Sequence, residues 1–209
     1  MIHPRPDHHG LPVHLTKPHA PTPIEAWADP SALATTVPDG PRPEVLNGIP
    51  VQPWPDAPCA LAAWAKVAGQ GAFTEPPPPS GHLTAGVVIL EPEGRVWTVS
   101  PSNAFGGYVN TFPKGHPDPG LNLRATAIKE AFEETGLQVE LTGWLVDVTR
   151  TTSLARYYLA RRLGGDPAAM GWESQAVHLV PLALLPSHLT RPKDQPILTA
   201  LAQHLGQTL

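Results

Sequence analysis

The chain has 209 residues, a mass of 22.3 kDa and a net charge of −4, with a pI near 6.2. That length allows one domain of ordinary size plus an extension, and the 14 basic residues form no run, which argues against a nucleic-acid polymer as partner. Cys59 is the single cysteine, which excludes an intrachain disulfide. Apolar runs such as "AGVVIL" are too short for a bilayer, and "MIHPRPDHHGLP" has no apolar signal core, so a cytoplasmic location without a membrane partner is expected.

Of 28 prolines, 18 fall within residues 1–80, and His3, His8, His9, His14 and His19 crowd the start. Residues 1–44 therefore read as a flexible Pro/His-rich arm, whose histidine spacing matches no closed metal site. "VLNGIPV" reads as a hairpin, because Asn47-Gly48 suits a type I′ turn. "DAPCALAAWAKVAGQG" reads as a helix from Asp56 to about Ala68, with Pro58 in its first turn and Gly69 after it. Residues 45–80 thus form a small cap segment, expected to pack on the following domain, that ends in a stiff spacer, "EPPPPSG".

Residues 81–209 read as the main domain. "LTAGVVILE" and "RVWTVS" flank "PEG" as a hairpin, and "YVNTF" is a strand leading into a Pro/Gly loop. "QVELTGWLVDVTRT" pairs with "LARYYLARR", "AVHLVPL" is a short strand, and "QPILTALAQHLG" closes the chain as a helix. Mixed strands with one internal and one terminal helix give an α/β domain with a mixed sheet.

The internal helix, "LRATAIKEAFEET", has good punctuation. Asn122 is its N-cap, Gly136 supplies the left-handed stop, and Leu137 can pack back on Phe132 as in a Schellman cap. Ala125, Ile128 and Phe132 share one side of the wheel, while Glu130, Glu133 and Glu134 gather within roughly 100° on the other. Carboxylates at the carbonyl end of a helix are disfavoured, and Glu130 with Glu134 is a like-charge i,i+4 pair. Two unit charges about 6 Å apart repel by about 3 kcal/mol at an effective dielectric near 20. The plain reading is a solvated acidic face; the loop before the helix points elsewhere. In "FPKGHPDPGLN", Gly115 permits close backbone approach to a ligand and Lys114 adds an ammonium, so phosphate and a hard cation such as Mg²⁺ can meet between loop and helix.

At this spacing the sequence resembles the Nudix hydrolases. Gly115, Lys129, Glu130, Ala131, Glu133, Glu134, Gly136 and Leu137 fall on the family box over residues 115–137, and the flanking elements extend the likeness to about residues 82–206. Two positions depart: Leu121 replaces the first glutamate, and Lys129 replaces the arginine, losing a bidentate fork. The resemblance implies a Nudix-type α/β/α sandwich in which Gly115, Glu130, Glu133 and Glu134 hold Mg²⁺ (or Mn²⁺). It also implies Glu130, Glu134 and Lys129 as catalytic residues of a pyrophosphohydrolase.

Lys114, Tyr108 and Glu173 are the expected substrate-binding residues. Glu173 sits in a loop where many of these enzymes place a further metal-binding or water-activating acid, and a solvated glutamate is the equal alternative. Tyr108, Tyr157 and Tyr158 are open to stacking a base or supporting the core, and because Tyr157 and Tyr158 are adjacent on a strand at least one of that pair belongs to the core. Trp172 poses the same choice, and His116 reads as a surface residue of the phosphate-facing loop. "PKGHPDPG" looks like the loop of diadenosine tetraphosphate hydrolases, and "FPKG" also occurs in diphosphoinositol polyphosphate hydrolases, whose dense charge suits an acidic chain less. Dinucleoside polyphosphates, ADP-ribose and nucleoside triphosphates stay open as the small-molecule diphosphate substrate. A nucleotide-binding sensor without turnover is the alternative function, and a homodimer is left open. Because the arm has little apolar surface, deleting residues 1–20 is expected to leave activity within a few-fold.

Overall fold

The computed structural model describes residues 1–67, 73–103, 107–150 and 152–207. Helix Glu25–Ala28 (α1), strand Ala34–Thr36 (β1), strands Val45–Leu46 (β2) and Ile49–Pro50 (β3), and helix Leu61–Val67 (α2) come first. Then follow Leu83–Ile89 (β4), Arg95–Pro101 (β5), Lys114–Gly115 (β6), Leu123–Thr135 (α3), Leu137–Thr149 (β7) and Leu154–Gly165 (β8). Ser174–Pro181 (β9), Leu185–His188 (α4) and Gln195–Leu205 (α5) complete the chain. Among the described residues no helix is long and apolar enough to cross a membrane.

Alternation along the strands sorts side chains into two cores, and the cores define the layers. On β4, Ala85, Val87 and Ile89 join Ala127, Ile128 and Ala131 of α3, whereas Val88 joins Ile197, Leu198 and Leu201 of α5. On β8, Tyr158 and Ala160 enter the first core and Tyr157 and Leu159 the second. Both tyrosines are therefore core residues, on opposite faces. The four-stranded sheet runs β6-β4-β8-β7 with β4 and β8 parallel and the other pairs antiparallel. An antiparallel sheet, β1-β9-β5, stands beside it. The result is the expected mixed-sheet α/β sandwich.

Several local expectations change. The "PEG" turn forms, with the Glu91 amide donating to the Arg95 carbonyl at 2.9 Å, but the flanking strands part into different sheets. β4 is apolar on both faces, as central strands are, and takes β8 as its parallel partner along its whole length. "YVNTF" is no strand. It makes one bridge, Thr111 to Val99, and its Asn110 side chain is occupied by Ser100 Oγ at 2.6 Å and the His188 carbonyl at 3.2 Å. α2 begins at Leu61 instead of Asp56, since Pro58 disfavours helical backbone at Ala57; Ala68 and Gly69 lie outside the described residues. The Asn47-Gly48 hairpin forms as expected, with φ of 51° and 77°.

The segment before residue 81 is held to the domain. Residues 1–44, expected as a flexible arm, contribute β1 to the edge of β9 and bury Trp27, whose carbonyl accepts from Arg95 Nη2 at 2.7 Å. The high proline count hid the apolar residues that make this packing favourable. Trp54 and Trp64 of the cap segment meet Phe132 of α3, with ring centres 5.5 and 5.8 Å away. The expected spacer is anchored too: buried Arg156 donates to the carbonyls of Pro76 and Pro77 while its fork grips Asp147, and Arg124 Nε donates to Glu75 at 2.7 Å.

Candidate active site

The site begins with how α3 is set. Asn122 Oδ1 accepts the Ala125 amide at 2.9 Å, and Gly136, at φ 71°, returns its amide to the Phe132 carbonyl at 2.7 Å. Both expected caps are present. The next amide departs from a Schellman pattern: Leu137 donates to Thr135 Oγ1 at 3.1 Å, while its side chain is buried in the cluster against which Phe132 packs. With Ala127, Ile128 and Ala131 turned to the core, Glu130 and Glu134 meet β6. They are 8% and 7% exposed, so this acidic face is not solvated. The Glu130 carboxylate lies so close to Gly115 that a Cβ there would overlap it, so any larger residue at this position requires that carboxylate to shift. Glu134 Oε1 accepts the Lys114 amide at 3.3 Å.

Glu173 supplies a third carboxylate from the turn before β9, where its carbonyl accepts the Ser102 amide at 2.8 Å. Oxygens of Glu130, Glu134 and Glu173 lie within 4.8 Å of one another. Burial above all, then repulsion from Glu134, raises the Glu130 carboxyl well above the ordinary range. Burial likewise raises Glu134, with the Lys114 ammonium opposing and Glu173 adding to the shift. Glu173 is an exposed residue, yet desolvation of its carboxyl end, followed by the Glu133 charge, moves it in the same direction.

Glu133 is not in the trio. Lys129 Nζ pairs with it at 2.5 Å and with Asp118 at 3.1 Å, and the Glu133 side chain is 46% exposed. Burial works against the Lys129 charge, but Glu133 and Asp118 more than restore it, so its pKa is raised. Of the expected metal set of Gly115, Glu130, Glu133 and Glu134, the structure brings Glu130 and Glu134 together with Glu173 against Gly115, whereas Glu133 pairs with the i,i+4 Lys129. Lys129 accordingly braces the Asp118 loop against α3. Leu121, at the other departing box position, packs against the α3 core as an apolar residue.

Beside the carboxylates stands a cationic network that the sequence did not reveal. Tyr108 Oη accepts from Arg150 at 3.1 Å, and its ring lies 5.8 Å from Lys114 Nζ and 5.4 Å from the Arg191 guanidinium. Arg150 also donates to Tyr157 Oη at 2.6 Å and to Asp194 at 3.2 Å. Asp194 is fully buried, and that burial raises its carboxyl in spite of Arg150. These residues come from separate segments with no local motif. His116 is exposed, and Trp172 is half-buried with the His8 ring 5.6 Å away.

The trio is a hard-oxygen donor set, and such sets select Mg²⁺ or Mn²⁺. Two of the carboxylates are buried on a helix and the backbone that carries the third is fixed by the Ser102 amide, so the residues present fit such a cation.

The NUDIX domain family matches residues 81–201. The chain is 35% identical over 105 residues to RNA pyrophosphohydrolase from two strains of Caulobacter vibrioides, a stretch that is 49% of this chain and 58% of each relative. It therefore spans little more than half the length of those relatives. A Nudix hydrolase structure from Nitrosomonas europaea superposes with a TM-score of 0.51 at 22% identity, over 62% of this chain and 75% of that one. An ADP-ribose pyrophosphatase structure from Streptococcus suis gives 0.51 at 20% identity, over 62% and 96%. Both likenesses speak to the fold. With the family matched over more than half of its length and the box helix carrying its carboxylates as described, the chain belongs to the Nudix family.

Proposed function

We propose that this chain is a divalent-cation-dependent pyrophosphohydrolase that cleaves the diphosphate linkage of a nucleoside diphosphate joined to another group. The observation that carries the reading is the trio Glu130, Glu134 and Glu173, seated against Gly115 and beside Lys114. A bound Mg²⁺ or Mn²⁺ supplies positive charge to the diphosphate oxygens and acidifies a water. Glu130 and Glu134 hold that cation, Lys114 binds the diphosphate, and Glu173, the most exposed of the trio, is placed to accept the proton of the attacking water. Lys129 acts through Asp118 and Glu133 as a positioning residue. Arg150 holds Tyr108, and Tyr108 with Lys114 and Arg191 gathers cations for a phosphate chain.

The substrate class includes dinucleoside polyphosphates, ADP-ribose and nucleoside triphosphates. The name of the Caulobacter relatives adds the 5′ end of RNA, although the absence of any basic run favours small molecules, acting in the cytoplasm. A second reading, a nucleotide sensor without turnover, is favoured by Leu121 and Lys129 at the two departing box positions. Phosphate release from a panel of these compounds and a triphosphorylated RNA oligonucleotide, with Mg²⁺ or Mn²⁺ and a coupling phosphatase, separates them. Turnover of at least one compound, lost in Glu130→Gln, is expected. A chain that melts higher with a nucleotide but hydrolyses none is the sensor.

A further inference from the structure

Residues 1–17 close on themselves and then on the site. The His3 amide donates to the Val13 carbonyl at 2.8 Å, the Leu15 amide to the Met1 carbonyl at 3.0 Å, and Ile2 bridges His14, so the segment is a small hairpin. Its tip is built on Asp7, whose Oδ1 accepts the amides of His9 at 2.9 Å and Leu11 at 2.8 Å. This turn sets the His8 ring 5.6 Å from Trp172, with His9 4.0 Å from His8. Trp172 directly precedes Glu173 of the carboxylate trio.

The base of the hairpin is tied to the same place. The Thr16 amide and hydroxyl both donate to the Ser102 carbonyl, at 3.0 and 2.9 Å, and the Ser102 amide donates to the Glu173 carbonyl. The Lys17 amide donates to Gln175 Oε1 at 3.2 Å, and Gln175 Nε2 donates to the Pro101 carbonyl at 2.9 Å. One segment thus touches both the residue before Glu173 and the backbone that fixes Glu173.

We propose that the amino-terminal hairpin is a wall of the active site, and that His8 and Trp172 form a stacking lip for the nucleobase of the substrate. The proposal rests on the pyrophosphohydrolase reading for where the diphosphate lies. Tyr108, the other candidate for a base, already has Arg150 on its hydroxyl and Lys114 and Arg191 at its ring. The His8 and Trp172 rings are tilted at 51° to each other instead of lying face to face, and His8 is exposed, so a planar base can approach the pair from solvent. Stacking tolerates any base, because every base has a π-face.

The test uses the full chain and two probes with Mg²⁺, ADP and inorganic pyrophosphate, which differ by the nucleoside. By calorimetry, the parent should bind ADP more tightly than pyrophosphate. His8→Ala should weaken ADP by about tenfold and leave pyrophosphate within twofold, while His8→Phe, which keeps a ring, should retain ADP. A deletion of residues 1–17 should raise KM for a nucleotide substrate by tenfold or more. That reverses the few-fold effect expected from composition. Equal weakening of both probes by His8→Ala makes His8 a phosphate contact and overturns the lip. So does no weakening of either, or a parent that prefers pyrophosphate. If the hydrolysis panel is blank while His8→Ala still loses ADP selectively, the lip stands and the pyrophosphohydrolase reading falls. If hydrolysis is robust and His8→Ala does not discriminate, the lip falls alone.

Discussion

Replacing Glu134 with glutamine tests whether the carboxylate trio is built for a cation or for stability. Glutamine keeps the oxygen that accepts the Lys114 amide and removes one charge from a set confined within 4.8 Å. At that spacing and an effective dielectric near 20, each charged pair repels by about 3 kcal/mol, and proton uptake by the raised carboxyls relieves part of it. Removing one member should therefore stabilise the chain in chelator at pH 8 by about 1–3 kcal/mol, or roughly 3–10 °C in Tm for a chain of this size. The sign of the pH dependence follows from the raised carboxyl. Above the unfolded value near 4.5 the folded state holds a proton that the unfolded state has released, so stability falls as pH rises toward the folded pKa. The advantage of Glu134→Gln should accordingly shrink toward zero near pH 5. Added Mg²⁺ should reverse the order, because a cation that binds the folded state at a hundred times its Kd adds about 2.7 kcal/mol, and the variant loses affinity. Thermal melts from pH 5 to 9, with chelator and with Mg²⁺, run beside a hydrolysis assay, measure each part. A variant that melts below the parent in chelator at pH 8 shows that the carboxylate has a structural partner and refutes the reasoning; hydrolysis at the parental rate removes Glu134 from the chemistry.

Three further perturbations follow from the same geometry. Gly115→Ala should displace the Glu130 carboxylate and cut metal-dependent turnover by about a hundredfold, with a reduced Mg²⁺ shift in Tm; unchanged turnover would mean that Glu130 moves freely. Lys129→Arg should raise turnover a few-fold by giving Asp118 and Glu133 a two-pronged partner, and steady-state kcat is the readout. His178, buried between Thr35 and Ser100, and His188 have pKa values lowered by burial, His188 to about 4. The unfolded chain therefore takes up protons first, and stability should be lost as pH falls from about 6.5 toward 4. The raised carboxyls are common to the parent and a His188→Gln variant, so in a Tm series the variant should lose less stability on acidification than the parent, and parallel profiles would contradict it.

What the sequence revealed and what it concealed differ by range along the chain. Asn122 and Gly136 were legible because a cap is decided by residues within one turn. The carboxylate set was legible in part. Spacing puts Glu130, Glu133 and Glu134 on one arc, but Lys129, four residues before Glu133, already offered the pairing that takes Glu133 out. Glu173 arrives from 39 residues beyond Glu134, on a turn fixed by Ser102; no periodicity reports such a contact, and only the likeness to the family singled it out, with a solvated glutamate as the equal alternative. The same holds for Arg150, Tyr157, Asp194 and Tyr108, which meet only through tertiary structure. The first 44 residues were misread because proline content stood for disorder, when Trp27 and Ala34–Thr36 carried the local apolar evidence for docking.

The helix end resolves a conflict that the sequence posed. Carboxylates at a carbonyl terminus are unfavourable, and the structure handles the three in two ways. Glu133 is neutralised at the surface by Lys129, at little stability cost and with no place in the trio. Glu130 and Glu134 are buried against β6, where their charged forms are disfavoured. Surface exposure would have relieved that strain, and the packing of Ala127, Ile128 and Ala131 against the sheet denies it to them. A position that costs folding energy in the metal-free chain and lowers it on binding a cation couples stability to the ligand. Substitutions that relax the pair should therefore stabilise and disable together, whereas changes at Glu133 should do neither to the same degree, even though all three glutamates lie within one turn and a half of helix.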